Sequence, residues 1–169
     1  MVDEVQTGNG RSGALYSYMT FGLQPDVVTT AKGLGGGLPI GACLLGEKVK
    51  DVFSPGDHGS TFGGNPVSCA GGVSILSRID EDLLRGVRER SAYIFEALSG
   101  ADGVEAVTGL GLMIGVKTVK PAREIILRCI EKGVLCLSAK DRIRLLPALN
   151  IPMDQLQTGI ETLKAVCAE

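Results

Sequence analysis

Lys32 stands where a β-branched run, Val27-Val28-Thr29-Thr30, gives way to the glycine-rich stretch Gly33-Leu34-Gly35-Gly36-Gly37-Leu38-Pro39-Ile40-Gly41. A lysine amine at a strand end, among residues without bulk, has room to condense with an aldehyde and afterwards to move a proton. Asp3, in Met1-Val2-Asp3-Glu4-Val5, is a carboxylate at the end of a second apolar segment, and Ser60 and Thr61 put hydroxyls in a third, irregular one. Lysine and carboxylate together suit pyridoxal phosphate: the amine forms an imine with the aldehyde, and the carboxylate keeps the pyridine nitrogen protonated so that the ring accepts electrons. Without Asp3, Lys32 would read as a solvated loop lysine, since most lysines are exposed.

Glycine-rich loops are weak evidence alone, and two familiar phosphate loops fail here. A Walker-type loop needs glycine before its lysine, whereas Lys32 precedes its glycines; a dinucleotide fingerprint opening at Gly33 would need glycine where Leu38 stands. Composition narrows the field further. The 169 residues carry 17 Lys+Arg against 19 Asp+Glu, a net charge of −2, with 44% hydrophobic residues and no tryptophan, which favours a folded chain over disorder and gives little support to a nucleic-acid or membrane surface. Glycine, 24 residues, is about twice its ~7% average usage. Cys43, Cys69, Cys129, Cys136 and Cys167 are scattered, with no C-x-x-C pair and only His58 to join them, so no metal site is expected. They read as reduced, mostly buried thiols of a cytosolic protein, and no leader or apolar span of membrane length is apparent.

The elements that must position these residues follow from pattern. Met1–Val5 reads as a strand end opening into the polar loop Gln6-Thr7-Gly8-Asn9-Gly10-Arg11-Ser12-Gly13; Val27–Thr30 and Ala42–Leu45 read as strands, with no regular structure in the glycine run between them. Glu47–Phe53 suits a short helix. Asn65-Pro66 is an N-cap followed by proline in the first turn, starting a helix to about Arg78, and Asp80 caps a longer amphipathic one through Leu98. Strands at Val104–Val107 and Leu112–Thr118, a helix Ala122–Lys132 stopped by Gly133, strands Val134–Leu137 and Ile143–Leu146, and a helix Met153–Val166 complete an α+β tail. The division expected is 1–79 and 80–169.

Three ordered motifs, Asp3-Glu4-Val5-Gln6-Thr7-Gly8 through Gly13, Thr30-Ala31-Lys32 through Ala42, and Gly59-Ser60-Thr61-Phe62-Gly63-Gly64-Asn65-Pro66, closely resemble those of the class III aminotransferases. The resemblance continues through Gly109–Gly115 and Ile143–Ile151, covering practically the whole chain. It implies an α/β architecture, fold type I of the pyridoxal phosphate transferases, here as part of the large domain with its mostly parallel sheet plus a small C-terminal α+β domain. By the same resemblance Lys32 carries pyridoxal 5'-phosphate, Asp3 meets the ring nitrogen, Val5 packs on the ring and Gln6 lies near its hydroxyl. Thr61 would bind the phosphate held by the neighbouring subunit of a homodimer, and Ser60 and Arg144 would face the substrate. Arg144 suits a carboxylate because its planar fork gives two parallel hydrogen bonds; Arg142, two positions earlier on the same strand face, is the rival.

Within the class the C-terminal motifs tilt toward members that move an amino group from N-acetyl-ornithine to 2-oxoglutarate in arginine biosynthesis, although ornithine, succinyl-ornithine and 4-aminobutyrate enzymes share the central motifs. Members of the class run to more than twice this length, so the chain is expected to be a C-terminal portion, lacking the principal phosphate loop and the stacking aromatic and depending on a complementary N-terminal half. The competing reading is a non-catalytic relic or dimerisation fragment. Other residues count for less: His58 reads as a solvated loop histidine, Glu4 should face away from Asp3, Cys43 and Cys69 lack a basic neighbour, and Met113 reads as core.

Overall fold

The computed structural model describes all 169 residues, which divide into two compact units, Met1–Leu84 and Arg85–Glu169. In the first unit, strands β1 (Val2–Asp3), β2 (Val27–Thr30) and β3 (Ala42–Leu45) form a sheet in that order. β1 runs parallel to β2, with Val2 opposite Val28 and Asp3 opposite Thr29, so the chain leaves both strands at the same edge; β3 is antiparallel, from Val27 opposite Leu45 to Thr30 opposite Ala42. Between β1 and β2 lies a single helical turn, α1 (Ser17–Thr20).

The glycine run is less irregular than its composition suggests, for Lys32–Gly35 winds into a 3-10 turn that ends where Gly36 takes a left-handed φ of +61°. Helix α2 (Pro66–Leu76) packs on this turn, and Asn65 caps it, its Oδ1 accepting from the amides of Val67 at 3.1 Å and Ser68 at 3.2 Å. Close approach requires glycine here: a Cβ on Gly71 would stand 2.9 Å from the Gly35 carbonyl oxygen. Val67, Val73 and Leu76 of α2 and most of β3 are exposed within this chain.

The helix expected over Glu47–Phe53 is absent. Single turns replace it, closed by Val49 N–H to Gly46 O at 3.0 Å and Val52 N–H to Val49 O at 3.3 Å. Seven residues including two valines, with no capping side chain, fall short of what sustains a helix without tertiary packing.

The second unit is built on an antiparallel sheet in the order β4-β5-β7-β6, from β4 (Val104–Leu110), β5 (Met113–Thr118), β6 (Leu137–Ala139) and β7 (Arg142–Leu145). Alternation along the strands puts Ile114, Val116, Ile143 and Leu145 into a core completed by α3 (Glu81–Leu98), α4 (Ala122–Glu131) and α5 (Met153–Ala168) through Ile94, Leu98, Ile125, Leu156 and Leu163. Asp80 caps α3 as expected, its Oδ1 accepting from the Leu83 amide at 2.8 Å.

The strand expected at Val134–Leu137 begins only at Leu137, because Val134 is committed to ending α4. Gly133, at φ +84°, donates to Ile130 O at 2.9 Å and Val134 donates to Cys129 O at 2.8 Å, a Schellman closure that uses the amide a strand would have needed. The five thiols are free, but only Cys129 and Cys167 are buried; Cys69 and Cys136 are half-buried and Cys43 is exposed, which corrects the expectation of mostly buried cysteines. Burial pushes the Cys136 thiol up to about 12, with Cys129 and Cys167 beside it adding to the rise, so it stays protonated and inert. No helix is long and apolar enough to cross a membrane.

Candidate active site

Parallel pairing of β1 and β2 brings Asp3 and Lys32 to the carboxyl ends of neighbouring strands, the edge at which open α/β sheets bind ligands. Asp3 is exposed and fixed from within, its Oδ1 accepting from the Val5 amide at 2.9 Å, while Val5 and Gln6 follow half-buried in the same loop. Lys32 is exposed and sits at φ +52°, a left-handed conformation unfavourable for a residue with a Cβ. Strain of this kind persists where the surroundings over-determine it, commonly at functional sites.

Glu4 contributes in a way its position in the sequence does not disclose. It is fully buried, facing away from exposed Asp3. Its carboxylate accepts from the hydroxyl of Thr7 at 2.5 Å, from that of Ser17 at 2.6 and 2.7 Å, and from the amide of Tyr18 at 2.9 Å, tying both ends of the loop after β1 together. Burial pushes this carboxyl up, but the Ser17 and Thr7 hydroxyls and the Tyr18 and Ser17 amides outweigh it and hold it below the usual range. A native carboxyl with a depressed pKa stabilises the fold fully above the unfolded value, roughly 4.3, and loses that contribution as pH falls through the native value. Glu4→Gln turns an amide donor toward existing donors and should cost about 1.5–3 kcal/mol at neutral pH. Melting curves of the two proteins should therefore differ most at neutral pH and converge as pH falls through the depressed native value; a gap that is constant with pH would show that the carboxylate charge is not what holds the loop.

The Asn9-Gly10 dipeptide signals a left-handed turn. Asn9 adopts φ +55° and is 6% exposed. Its Nδ2 donates to Thr30 Oγ1 and to the carbonyl of Ala31, each at 3.1 Å, reaching the end of β2 from the loop after β1.

Ser60 and Thr61 lie elsewhere in the same unit, on an exposed loop turned by Gly63 N–H to Ser60 O at 3.1 Å. His58 is exposed nearby with its ring edge-on to Phe53, centroids 4.5 Å apart. Arg144 belongs to the second unit. It and Arg142 alternate on β7 with buried Ile143 and Leu145, hence share a face, but their surroundings differ. Arg142 donates to Thr108 Oγ1 at 3.2 Å and lies 4.0 Å from the Asp141 carboxylate. Arg144 borders a largely apolar groove of about 230 Å³ with Leu145, Leu146, Pro147 and Gln155, and its Nε is buried without a partner. Buried polar atoms are nearly always paired, so each orphan calls for an explanation. The other two, Asn9 Oδ1 and Ser12 Oγ, fall in the loop that follows Asp3.

Residues 1–167 match the model of the aminotransferase class-III family, and the chain belongs to that family. It is 45% identical over 171 residues to the acetylornithine aminotransferase of Haemophilus ducreyi, covering all of this chain and 44% of that one. Among solved structures, the acetylornithine aminotransferase of Elizabethkingia anophelis superposes with a TM-score of 0.87 at 31% identity, over 96% of this chain and 44% of that one. An ornithine aminotransferase of Toxoplasma gondii, described as having partial occupancy of PLP at its active site, superposes with a TM-score of 0.90 at 30% identity, over 99% of this chain and 42% of that one. The α/β architecture is therefore that of the fold type I transferases. The chain spans less than half the length of these relatives.

Proposed function

We propose that the chain carries the reactive lysine of an aminotransferase whose whole protein moves the terminal amino group of N-acetyl-ornithine to 2-oxoglutarate. The observation that carries this reading is the placement of Asp3 and Lys32 at the same edge of two parallel strands, within a chain of this family. The residues fit pyridoxal 5'-phosphate: Asp3 has one oxygen engaged by the Val5 amide and the other available, Lys32 presents an exposed amine, and the adjoining loop holds buried polar atoms without partners. When bound, that group supplies an aldehyde and an electron-withdrawing ring that stabilises negative charge on the amine-bearing carbon.

Around it the chain's own residues have separable tasks. Asp3 would hold a proton on the ring nitrogen, Val5 would pack on the ring face and Gln6 would lie near the ring hydroxyl. Lys32 would move the proton at the amine-bearing carbon, work that requires a partly neutral amine. Thr61 would donate to the phosphate held by the neighbouring subunit of a homodimer, and Ser60 would face the substrate. In the second unit, Arg144 binds the substrate carboxylate. Residues 1–79 and 80–169 belong on this reading to the large and small domains of a cytoplasmic enzyme of arginine biosynthesis.

Arg144 rather than Arg142 is assigned because Arg142 is already engaged by Thr108 and Asp141, whereas Arg144 retains an unpartnered Nε. Losing a charge-assisted contact of ~1.5–3 kcal/mol predicts that Arg144→Ala raises the KM for both amino donor and 2-oxoglutarate by about 10- to 100-fold. Arg142→Ala should change either by less than about threefold; the opposite pattern would reverse the assignment.

Donor identity is tested by supplying the chain with the part of the Haemophilus ducreyi relative that it does not span and following glutamate formation from 2-oxoglutarate. N-acetyl-ornithine should give a higher kcat/KM than ornithine, succinyl-ornithine or 4-aminobutyrate. A preference for ornithine would move the assignment toward the function named for the Toxoplasma gondii structure. Absence of turnover with every donor, in a complex that forms, would favour a non-catalytic interaction fragment.

A further inference from the structure

We propose that Asn9 is a positioning residue for Lys32: one side-chain amide, reaching across from the loop after β1, fixes the backbone from which the lysine projects. The inference deepens the proposed function and rests on its reading of Lys32 as the reactive amine.

Three contacts converge. Asn9 Nδ2 donates at 3.1 Å both to Thr30 Oγ1 and to the Ala31 carbonyl, the two residues just before Lys32. That carbonyl also accepts the Leu34 amide at 3.1 Å, the bond that closes the 3-10 turn, so Asn9 holds the same oxygen on which the turn containing Lys32 is built. On the other side of the lysine, a Cβ on Gly33 would lie 3.5 Å from Asn9 Cβ, so the asparagine side chain also flanks the residue that follows. Lys32 is thereby bracketed while its own φ stands at +52°, a conformation an unconstrained lysine would leave.

The asparagine is itself fixed in place. Its flanking amides, Gly8 N–H to Glu4 O at 3.0 Å and Gly10 N–H to Leu15 O at 3.2 Å, anchor it to the loop held by the Glu4 carboxylate. Hydrogen bonds on either side of Asn9 therefore link the loop after the strand bearing Asp3 to the turn bearing Lys32. Orientation of the amide is dictated from one side, because the Ala31 carbonyl can only accept, and Oδ1 is left buried with no partner. Forming a left-handed turn at position 9 does not need that arrangement, since glycine would serve without burying an unpaired oxygen.

Asn9→Gly separates the two roles, for it keeps the left-handed backbone and removes both amide hydrogen bonds. The full chain and this variant are treated with pyridoxal phosphate and borohydride. A lysine nitrogen adds to the aldehyde carbon with loss of water, and hydride reduces the C=N bond to a stable secondary amine, which peptide mapping then locates. The readout is the ratio of label on Lys32 to label on Lys48 and Lys50 of the same unit, with hydrogen exchange at the amides of β2 and β3 measured in parallel. The native chain should label chiefly at Lys32, and Asn9→Gly should lower the ratio about tenfold with strand protection retained. An unchanged ratio overturns the proposal, and so does a fall accompanied by lost protection, which would make Asn9 a residue of the fold alone. Native labelling concentrated on a lysine other than Lys32 instead overturns the reading of Lys32, and this inference with it.

Discussion

The Lys32→Ala variant is expected to lose the site of covalent cofactor attachment and all measurable amino transfer while melting within a few degrees of the native chain. The two halves of this expectation have different origins. Lys32 is exposed, and substitutions at such positions usually move stability by no more than about 0.5 kcal/mol. The chemistry has no such reserve. Positioned proton transfer contributes roughly 10²–10⁴-fold, and on the proposed reading the covalent role of the same amine would add to that, so one substitution would remove two contributions. Asp3 and the glycine turn remain in place, so weak non-covalent binding of the cofactor should persist. Borohydride trapping followed by peptide mapping reads the first effect, and glutamate formation by the complemented protein reads the second. A pyridoxyl label of native yield on another lysine of the variant, or turnover within tenfold of the native rate, would overturn the central assignment.

The placement of Lys32 and Asp3 at strand ends was legible because its signals are local: a β-branched strand running into glycines, and a carboxylate at the end of an apolar segment. The parallel pairing of β1 with β2 converts those two local patterns into one edge. The clamp on Glu4 was not legible, since Ser17 and Tyr18 lie 13 and 14 residues away and reach it only through the closed loop. Asn9 was hidden for the same reason, with its acceptors 21 and 22 residues distant.

The ambiguity between Arg142 and Arg144 could not be resolved by spacing, because residues two apart on a strand share a face. What separates them is a glycine on the neighbouring strand. Gly115 pairs with Arg144 and with Thr108, and a Cβ there would lie 3.3 Å from Arg142 Cδ, so the missing side chain gives Arg142 room to cross toward Thr108. The misread elements have equally specific causes. Val134 looks like a strand residue until its amide is claimed by the end of α4, and Glu47–Phe53 looks helical only while its lack of packing is ignored.

The polypeptide of these 169 residues, purified without a complementing chain, is expected to bind pyridoxal phosphate weakly and to give no measurable transamination of N-acetyl-ornithine. It spans 44% of the length of its Haemophilus ducreyi relative. On the proposed reading Lys32 and Asp3 would hold the aldehyde and the ring nitrogen, whereas for the phosphate the motifs of this chain offer Thr61, on an exposed loop. Each charge-assisted hydrogen bond not made forgoes ~1.5–3 kcal/mol, so two or three weaken binding by several orders of magnitude. The exposed apolar residues Phe62, Val67, Val73 and Leu76 around the start and face of α2 compound the loss, since surfaces of that kind favour self-association when nothing covers them. Turnover falls further than binding, because holding the reacting groups in register contributes up to about 7–11 kcal/mol of barrier reduction, and a loosely held cofactor forfeits much of it. Titrating the cofactor by absorbance and following glutamate release checks both halves. Tight binding with turnover matching the complemented protein would show that the 169 residues are sufficient by themselves.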